Sequence, residues 1–209
     1  MYSYVIECNL GQRGDEAQEY LADAVRTWPR LWGDIPGVTG TLLLSSAFAL
    51  GGEFEYQWRV DIDTLSTPSR VDEAMKSGDG GWRKTRNDWF AARTVARAQV
   101  LSHVAGDEAY CQGPKGKDAA VHLVLQSPAS ASERSASRLD AVRSAPGVVS
   151  AQALRSVVGS AAAQEQTWLR LESLESLDSV DNAVRADLGG SGRLFGELRE
   201  VDGSLFAGA

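Results

Sequence analysis

The sequence predicts an α+β protein built from two tandem copies of one βαββαβ unit. Three separate segments recur at nearly constant offsets of 109 or 110 positions. Residues 35–38 return at 145–148, residues 60–65 at 169–174, and residues 71–74 at 180–183. Because three independent matches agree on one offset, the chain contains an internal duplication.

The first half shows the patterns of four strands and two helices. Alternation predicts strands at 2–9, 39–50, 53–63 and 94–104, and helical spacing predicts helices at 15–32 and 68–90. Pro36-Gly37 ends the first helical region. Gly51-Gly52 supplies the turn that joins the second and third strands as a hairpin.

The second half repeats this order in a shorter form. Its predicted strands are 120–127, 149–159, 164–172 and 193–201, and its predicted helices are 132–144 and 177–188. Segments 1–106 and 119–209 are therefore expected to be two ferredoxin-like repeats. Segment 107–118, rich in glycine, proline and lysine, is expected to be a surface linker.

The third predicted strand indicates how the repeats pack. One face carries Phe54, Tyr56, Trp58, Val60 and Ile62, and the other carries Glu55, Gln57, Arg59 and Asp61. Helices cover one face of each four-stranded sheet, so we expect the apolar set under the helices and the two sheets face to face as an α+β barrel. Asp61 aligns with Arg170 and would join an ion-paired layer between the sheets. A solvated strand face is the alternative.

Charge and composition exclude several classes of partner. The net charge of −7 and the pI near 4.9 disfavour binding to nucleic acid or to an anionic membrane surface. No apolar run approaches the roughly 20 residues of a membrane span, and we expect a cytoplasmic protein. Cys8 and Cys111 are isolated, so neither a disulfide nor a zinc site is expected. The two histidines have no metal-ligand neighbours at useful spacing.

Two βαββαβ repeats joined face to face resemble the dimeric α+β barrel superfamily. This superfamily includes antibiotic-biosynthesis monooxygenases, haem-degrading monooxygenases, muconolactone isomerases and polyketide cyclases. Asn9 at the end of the first strand and Trp58 on the third are similar to positions of the monooxygenase branch. The resemblance covers nearly the whole chain and rests on element order more than on a signature motif.

The resemblance implies a cofactor-independent enzyme of bacterial secondary metabolism that oxygenates or cyclises a small aromatic or polyketide-like molecule. A haem-binding, monooxygenase-like protein is one alternative, and a non-catalytic binding protein is another. The haem-degrading branch uses a histidine on the second helix, whereas residues 68–90 contain none. Internal duplication makes a monomer feasible, and a homodimer stays open.

The two repeats differ in length and in aromatic content. The first is longer by about eight residues before its Pro-Gly and by about twelve around its second helix. Thirteen of the sixteen aromatic residues lie at or before Tyr110. We therefore expect the largest ligand pocket in the first repeat, between sheet and helices. Core packing is the alternative for each tryptophan.

Residues 82–90 contain the most specific candidate motif. Trp82, Arg86 and Trp89 fall on one helical face, so the guanidinium would stack between two indoles or hold an anionic oxygen. Gly78 to Gly81 would give this segment a hinge, as in a lid. A plain surface helix capped by a glycine loop is the alternative.

The remaining candidate site residues are chosen by their position in the predicted strands and by the chemistry of their side chains. His103, near the end of the fourth strand, is expected to be the general base. Arg59 or Arg86 would stabilise an oxyanion, with Arg86 preferred if Arg59 faces the partner sheet. Asn9, Tyr56, Trp58, Trp82 and Trp89 are expected beside the substrate. His122 is expected to be a hydrogen-bonded strand residue without a catalytic role.

Overall fold

The computed structural model describes residues 1–112, 121–128, 132–159, 164–185, 191–201 and 204–207. The first repeat comprises β1 (Tyr2–Leu10), α1 (Asp15–Gly33), β2 (Val38–Ser46), β3 (Tyr56–Ile62), α2 (Thr67–Ser77), α3 (Trp82–Ala92) and β4 (Arg93–Gly106). The second comprises β5 (Val121–Pro128), α4 (Ser132–Arg143), β6 (Val148–Val158), β7 (Gln164–Leu171), α5 (Ser176–Arg185) and β8 (Ser191–Val201), followed by β9 (Ser204–Ala207). This order confirms the predicted duplication. Strand β9 was not predicted.

Eight antiparallel strands close into a barrel. Their order is β2-β3-β1-β4-β6-β7-β5-β8, and β8 pairs back onto β2 through Leu44↔Glu197 to Ser46↔Phe195. Each repeat thus contributes four strands, and the two sheets join at both edges while facing each other across the interior. Strand β9 extends β8 outside this ring. The predicted α+β barrel is confirmed.

The turns after α1 and α4 show the duplication in atomic detail. Gly37 and Gly147 have positive φ values of 96° and 82°, and their carbonyl oxygens accept hydrogen bonds of 2.9 Å from the backbone of Asp63 and Glu172. A Cβ atom at Gly37 would lie 2.5 Å from a carboxylate oxygen of Asp63. Backbone conformation and space therefore both require glycine in the repeated Pro-Gly.

Helix α1 packs on the first sheet through one face. Its buried residues are Leu21, Ala24, Trp28, Leu31 and Trp32, which follow the three-to-four residue spacing of an amphipathic helix. On the sheet below it, Tyr56, Trp58, Val60 and Ile62 join the same core, as alternation along β3 predicted. The apolar interior of the first repeat is therefore rich in tryptophan.

The predicted helix 68–90 is two helices. The chain between α2 and α3 passes through Gly78, Gly80 and Gly81, with φ values of +72°, +62° and +100°, and includes one short 3-10 turn, Asp79–Gly81. These left-handed conformations interrupt the helical hydrogen bonds that periodicity alone predicted. Helix α3 is the inserted element, since the second repeat has the single helix α5 at this place within its described residues.

The barrel interior contains a buried polar layer. Arg59 and Asp61 are almost completely buried, with Arg59 Nε 2.8 Å from Asp61 Oδ1, and Ser3 donates a hydrogen bond of 2.7 Å to the same oxygen. The alternative of a solvated strand face is wrong. Arg170, the residue that aligns with Asp61 in the second repeat, joins the same layer and lies 3.8 Å from Glu197.

The start of the predicted linker enters this interior. Tyr110 and Cys111 are 1% and 3% exposed, so the expectation of a surface connection is wrong for them. The Tyr110 hydroxyl lies 2.9 Å from His122 Nδ1, and its ring centroid lies 5.0 Å from the Arg59 guanidinium. Polar and cation–π contacts thus hold the ring inside the barrel. Positions 113–118 of the linker lie outside the described residues.

Within the described ranges, no helix is long and apolar enough to cross a membrane. The same residues contain no group of three or more potential metal ligands. Cys8 and Cys111 are both free and buried.

Candidate functional site

A cavity of about 290 Å³ lies in the first repeat between the sheet and helices α1, α2 and α3. Six aromatic side chains line it: Tyr4, Trp28, Trp32, Trp82, Trp89 and Phe90. The polar and charged residues of its lining are Asp72, Thr85, Arg86 and Arg93. Mostly aromatic walls with a few charged groups are typical of a small-molecule site.

The tryptophans form a continuous packed wall. Trp28 stands at its centre, with ring centroids 4.8 Å from Trp58, 5.6 Å from Trp89 and 6.1 Å from Trp32. Trp82 contacts Trp32 edge-on at 5.7 Å. These separations and tilted arrangements are favourable for aromatic pairs. The aromatic side chains of the wall therefore hold one another in place through their mutual contacts.

Helix α3 turns its buried face toward the cavity. Trp82, Thr85 and Trp89 are buried on it, and Arg86, which is half-buried, shares this face by its spacing and lines the same cavity. On its outer side Lys84 Nζ lies 2.7 Å from Asp88 and 3.7 Å from Asp23 of α1. The structure thus brings together Trp82, Arg86 and Trp89, as the sequence predicted.

The cavity has an excess of positive charge. Neither Arg86 nor Arg93 forms an ion pair or a hydrogen bond with the described residues. The Arg93 guanidinium instead lies 4.3 Å from the Phe90 ring centroid and 5.3 Å from that of Trp89. Asp72, the carboxylate of the lining, is 2.5 Å from Lys76 Nζ. The potential inside the cavity favours an anion.

Tyr4 presents a phenol to the cavity. Burial raises the pKa of Tyr4 above its usual value of about 10, and the Arg93 charge offsets part of that rise. The Tyr4 hydroxyl therefore stays protonated near neutral pH. No hydrogen bond joins its hydroxyl to another described residue, and its ring centroid lies 6.1 Å from that of Trp32. It is available as a proton donor to a bound molecule.

Two predicted substrate-binding residues lie in the adjacent core. Trp58 is 2% exposed and packs 4.7 Å from Trp89, behind the aromatic wall. Tyr56 is half-buried in the same core, where burial raises its pKa. Neither is part of the cavity lining. The structure therefore supports core packing and not substrate contact for both residues, which is the alternative that we gave for each tryptophan.

The proposed base and the second arginine lie away from the cavity. Ser3 pairs with Leu101 and Tyr2 with Ser102, so alternation places His103 on the same barrel-facing side as Leu101, opposite Tyr4. Its Nε2 is buried without a hydrogen-bond partner among the described residues. His103 and the cavity thus lie on opposite faces of the sheet, so the structure does not bring the proposed base to Arg86, and its catalytic role stays a prediction.

Arg59 also faces the barrel. Its guanidinium lies 4.8 Å from the Trp168 ring centroid, in addition to its ion pair with Asp61. Arg59 therefore faces the partner sheet, which is the case in which we expected Arg86 to be the oxyanion donor. Arg86 remains the candidate for that role. Sequence alternation alone was sufficient to predict this orientation.

Asn9 has a structural role at the end of β1. Its side chain donates a hydrogen bond of 3.1 Å to the Glu53 carbonyl and accepts one of 2.7 Å from the Glu55 backbone N–H. Both polar ends of the amide are thus used to hold the chain before β3. Asn9 is not part of the cavity lining.

Arg93 and Tyr4 were missed at the sequence level. Arg93 follows Trp89 by four positions and Arg86 by seven, which extends the i, i+4, i+7 pattern by one turn. Tyr4 alternates with Val5 and shares the helix-facing side of β1 with Ile6. Both signals are present in the printed sequence.

A second groove, of about 340 Å³, lies beside α1 and β2. Pro29, Gly33, residues 38–41 and Cys111 line it, and none of these side chains is charged. Burial raises the pKa of the Cys111 thiol well above its usual range, so the thiol is unreactive. The groove therefore lacks the chemistry of the aromatic cavity.

No protein-family model matches the chain, and no curated protein matches it. Solved structures do match the chain. An anthrone oxidase-like protein is 11% identical over 94% of this chain and 90% of its own, with a TM-score of 0.56. A monooxygenase candidate from Lactobacillus acidophilus NCFM is 12% identical over 99% and 98%, with a TM-score of 0.56. Chlorite dismutase from Candidatus Nitrospira defluvii, solved with imidazole, is 13% identical over 94% and 90%, also at 0.56.

Identities this low establish the fold alone. The shared fold is the dimeric α+β barrel, which the sequence resemblance implied and the closed ring of eight strands shows.

Proposed function

We propose that this chain is a cofactor-independent enzyme that binds an electron-rich aromatic or polyketide-like molecule in the first-repeat cavity and oxygenates it with dioxygen. One observation carries the proposal: six aromatic side chains line the same cavity as a guanidinium, Arg86, that has no partner in the described part of the chain. Such a site combines a flat apolar surface with a strong hydrogen-bond donor. Cyclisation of the same kind of molecule is the competing reaction.

The walls select a planar ligand. Trp82, Trp89 and Phe90 offer ring faces and edges on which fused aromatic rings can stack. The volume of about 290 Å³ is near the lower end of small-molecule sites, which favours one compact ring system. A long flexible chain would leave most of its length outside.

Arg86 supplies the electrostatic contribution. A guanidinium held in a partly desolvated site lowers the pKa of a bound phenol or enol, because it stabilises the anion. No imidazole is part of the cavity lining, so the acidity of the substrate itself has to provide the reactive carbanion. The proton passes to water at the cavity mouth.

The oxygenation balances without a further reductant. The enolate of an acidic methylene gives up an electron pair to dioxygen, and a carbon–oxygen bond forms to give a peroxide anion. Tyr4 donates its phenolic proton to that anion and recovers one from water. The hydroperoxide then loses water and leaves a carbonyl group. One methylene and one dioxygen thus become one ketone and one water.

Structural likeness supports oxygenation over cyclisation. The anthrone oxidase-like protein has this fold over nearly the whole chain, and anthrone is a fused-ring ketone with an acidic methylene. A substrate of that class satisfies both features of the cavity, the flat walls and the cation.

The cavity lining contains no histidine that could bind a haem iron. The chain has two histidines; His103 lies on the barrel face of β4 and His122 is buried inside the barrel. Neither can supply an imidazole ligand between the sheet and α3. The proposed mechanism therefore contains no haem step.

Turnover of anthrone by the purified chain, in air and under nitrogen, tests the proposal. We expect dioxygen uptake with formation of the ketone in air and no product under nitrogen. Arg86→Ala should lower kcat/KM about a hundredfold or more, the usual loss for one oxyanion donor. Arg83→Ala is the matched control, because Arg83 is exposed on the same helix and is not part of the lining.

The other outcomes are equally specific. Product under nitrogen would identify a cyclase or isomerase, and tight binding without uptake would identify a binding protein. Equal losses in both arginine variants would contradict the role of Arg86. A Soret band in the purified protein would contradict the cofactor-independent state.

A further inference from the structure

Arg93 is a second cation on the cavity with no role in the reaction proposed above. It begins β4 directly after α3, and its half-buried guanidinium covers the Phe90 ring at 4.3 Å. Its described neighbours offer aromatic faces and no carboxylate. Stacking leaves the N–H groups in the plane of the guanidinium free to donate hydrogen bonds.

The charges of the lining do not balance. Asp72 is exposed and its carboxylate lies 2.5 Å from Lys76, so it is already neutralised. Two guanidiniums, Arg86 and Arg93, therefore share one aromatic cavity without a counter-charge among the described residues. A reacting enolate supplies one negative charge, and the second cation is still uncompensated.

The two guanidiniums come from different elements, Arg86 from α3 and Arg93 from the first position of β4. Seven positions separate them, and Trp89 and Phe90 lie between them in sequence. A ring system stacked on this wall would meet Arg86 and Arg93 at different positions on its edge. The ligand would then need acidic oxygens at two separate places.

We propose, on the premise that the proposed function holds, that Arg93 determines specificity by binding a carboxylate of the substrate. The substrate class is then a fused-ring aromatic carboxylic acid with an acidic phenol or enol, and Arg86 binds the reacting oxygen. A planar guanidinium forms two parallel hydrogen bonds with a carboxylate, which a neutral ring substituent cannot match.

Two commercial probes isolate the carboxylate: 3-hydroxy-2-naphthoic acid and 2-naphthol, which differ in that group alone. Affinities are measured by calorimetry at pH 7.5 for the wild-type chain, Arg93→Gln, Arg93→Lys and the control Arg83→Gln. We expect the wild-type chain to bind the acid about tenfold or more tightly than the naphthol. The ratio should fall to about one in Arg93→Gln, persist in Arg83→Gln, and be partly kept in Arg93→Lys.

Because each variant is judged by a ratio of affinities, a general loss of packing cancels out. Equal affinities in the wild-type chain, or an unchanged ratio in Arg93→Gln, would overturn the proposal. Naphthol binding with anthrone turnover but no preference for the acid would overturn this inference and leave the proposed function intact. A preference for the acid without any anthrone turnover would overturn the proposed function, and with it the specificity role of Arg93, and would leave Arg93 as a carboxylate-binding residue of a binding protein. Binding of neither probe would overturn both proposals.

Discussion

His122 shows how a buried titratable residue can be structural. Its Nδ1 lies 2.9 Å from the Tyr110 hydroxyl, and its Nε2 lies 3.6 Å from Glu197 in the barrel interior. Burial lowers the pKa of His122, and the nearby Arg170 and Arg59 charges lower it further against the opposing effect of Glu197. The imidazole is therefore neutral in the folded protein. The expected hydrogen-bonded strand histidine is confirmed.

A neutral buried histidine makes stability depend on pH. In the unfolded chain His122 binds a proton below about pH 6.5, whereas the folded chain resists it, so stability should fall as pH drops below that value. Urea midpoints at pH 7.5 and 5.5 measure this loss. His122→Gln should reduce this pH-dependent loss, whereas Leu154→Ala, at a buried apolar residue of the barrel, should keep it. An unchanged loss in His122→Gln would contradict the assignment.

Substitution of His103 tests whether this residue takes part in turnover. Because it lies on the opposite side of the sheet from the cavity, His103→Ala should keep kcat/KM within about threefold of the wild type. Removal of a true general base typically costs a hundredfold to ten-thousandfold. Turnover and thermal midpoint are measured together. A hundredfold loss of turnover in a stably folded variant would restore His103 as the base.

Helix α3 is the element that makes the first repeat different from the second. It carries Trp82, Arg86 and Trp89 onto the cavity, and the glycines before it let the chain reverse between α2 and α3. Periodicity predicted the face and the three residues, because those depend on spacing within one helix. The glycines at 78–81 indicated a hinge, but the left-handed backbone angles that separate α2 from α3 are known only from the structure.

Substitution of Gly80 tests whether the turn between α2 and α3 requires a left-handed backbone. Its φ is +62° and nothing lies within 4 Å of an added Cβ, so Gly80→Ala should cost about 1–2 kcal/mol from conformation alone. Gly33, at the end of α1, has equal space and no positive φ, and Gly33→Ala should be neutral or slightly stabilising. Urea unfolding compares the two. Equal effects would show that the turn is not held in its left-handed form.

At the scale of the whole molecule, the barrel joins the two repeats through buried charge. Duplication and alternation were enough to predict two sheets face to face and an ion-paired layer between them. The partners in that layer were not predictable, since they depend on barrel register and on Tyr110 entering from the linker. The side of the sheet on which His103 lies also depends on strand register, because it follows from the Tyr2↔Ser102 pairing.

The ion pair between Glu7 of β1 and Arg193 of β8 links one repeat to the other. The Glu7 carboxylate is 1% exposed and the Arg193 side chain 10%, and Arg97 and Arg193 hold the pKa of Glu7 below its usual value although burial opposes them. Removing one partner leaves a buried charge without compensation. Glu7→Gln should therefore lower the free energy of unfolding by about 3–5 kcal/mol.

A double variant separates charge compensation from packing. Glu7→Leu with Arg193→Met removes both charges, so it should be more stable than Glu7→Gln and could approach the wild type. Lys84→Ala, which breaks the exposed Lys84–Asp88 pair on α3, should cost less than about 1 kcal/mol. Urea unfolding is followed by tryptophan fluorescence and by circular dichroism, whose transitions should coincide because the closed barrel unfolds as one unit. A Glu7→Gln variant as stable as Lys84→Ala would mean that the charges inside the barrel do not hold the repeats together.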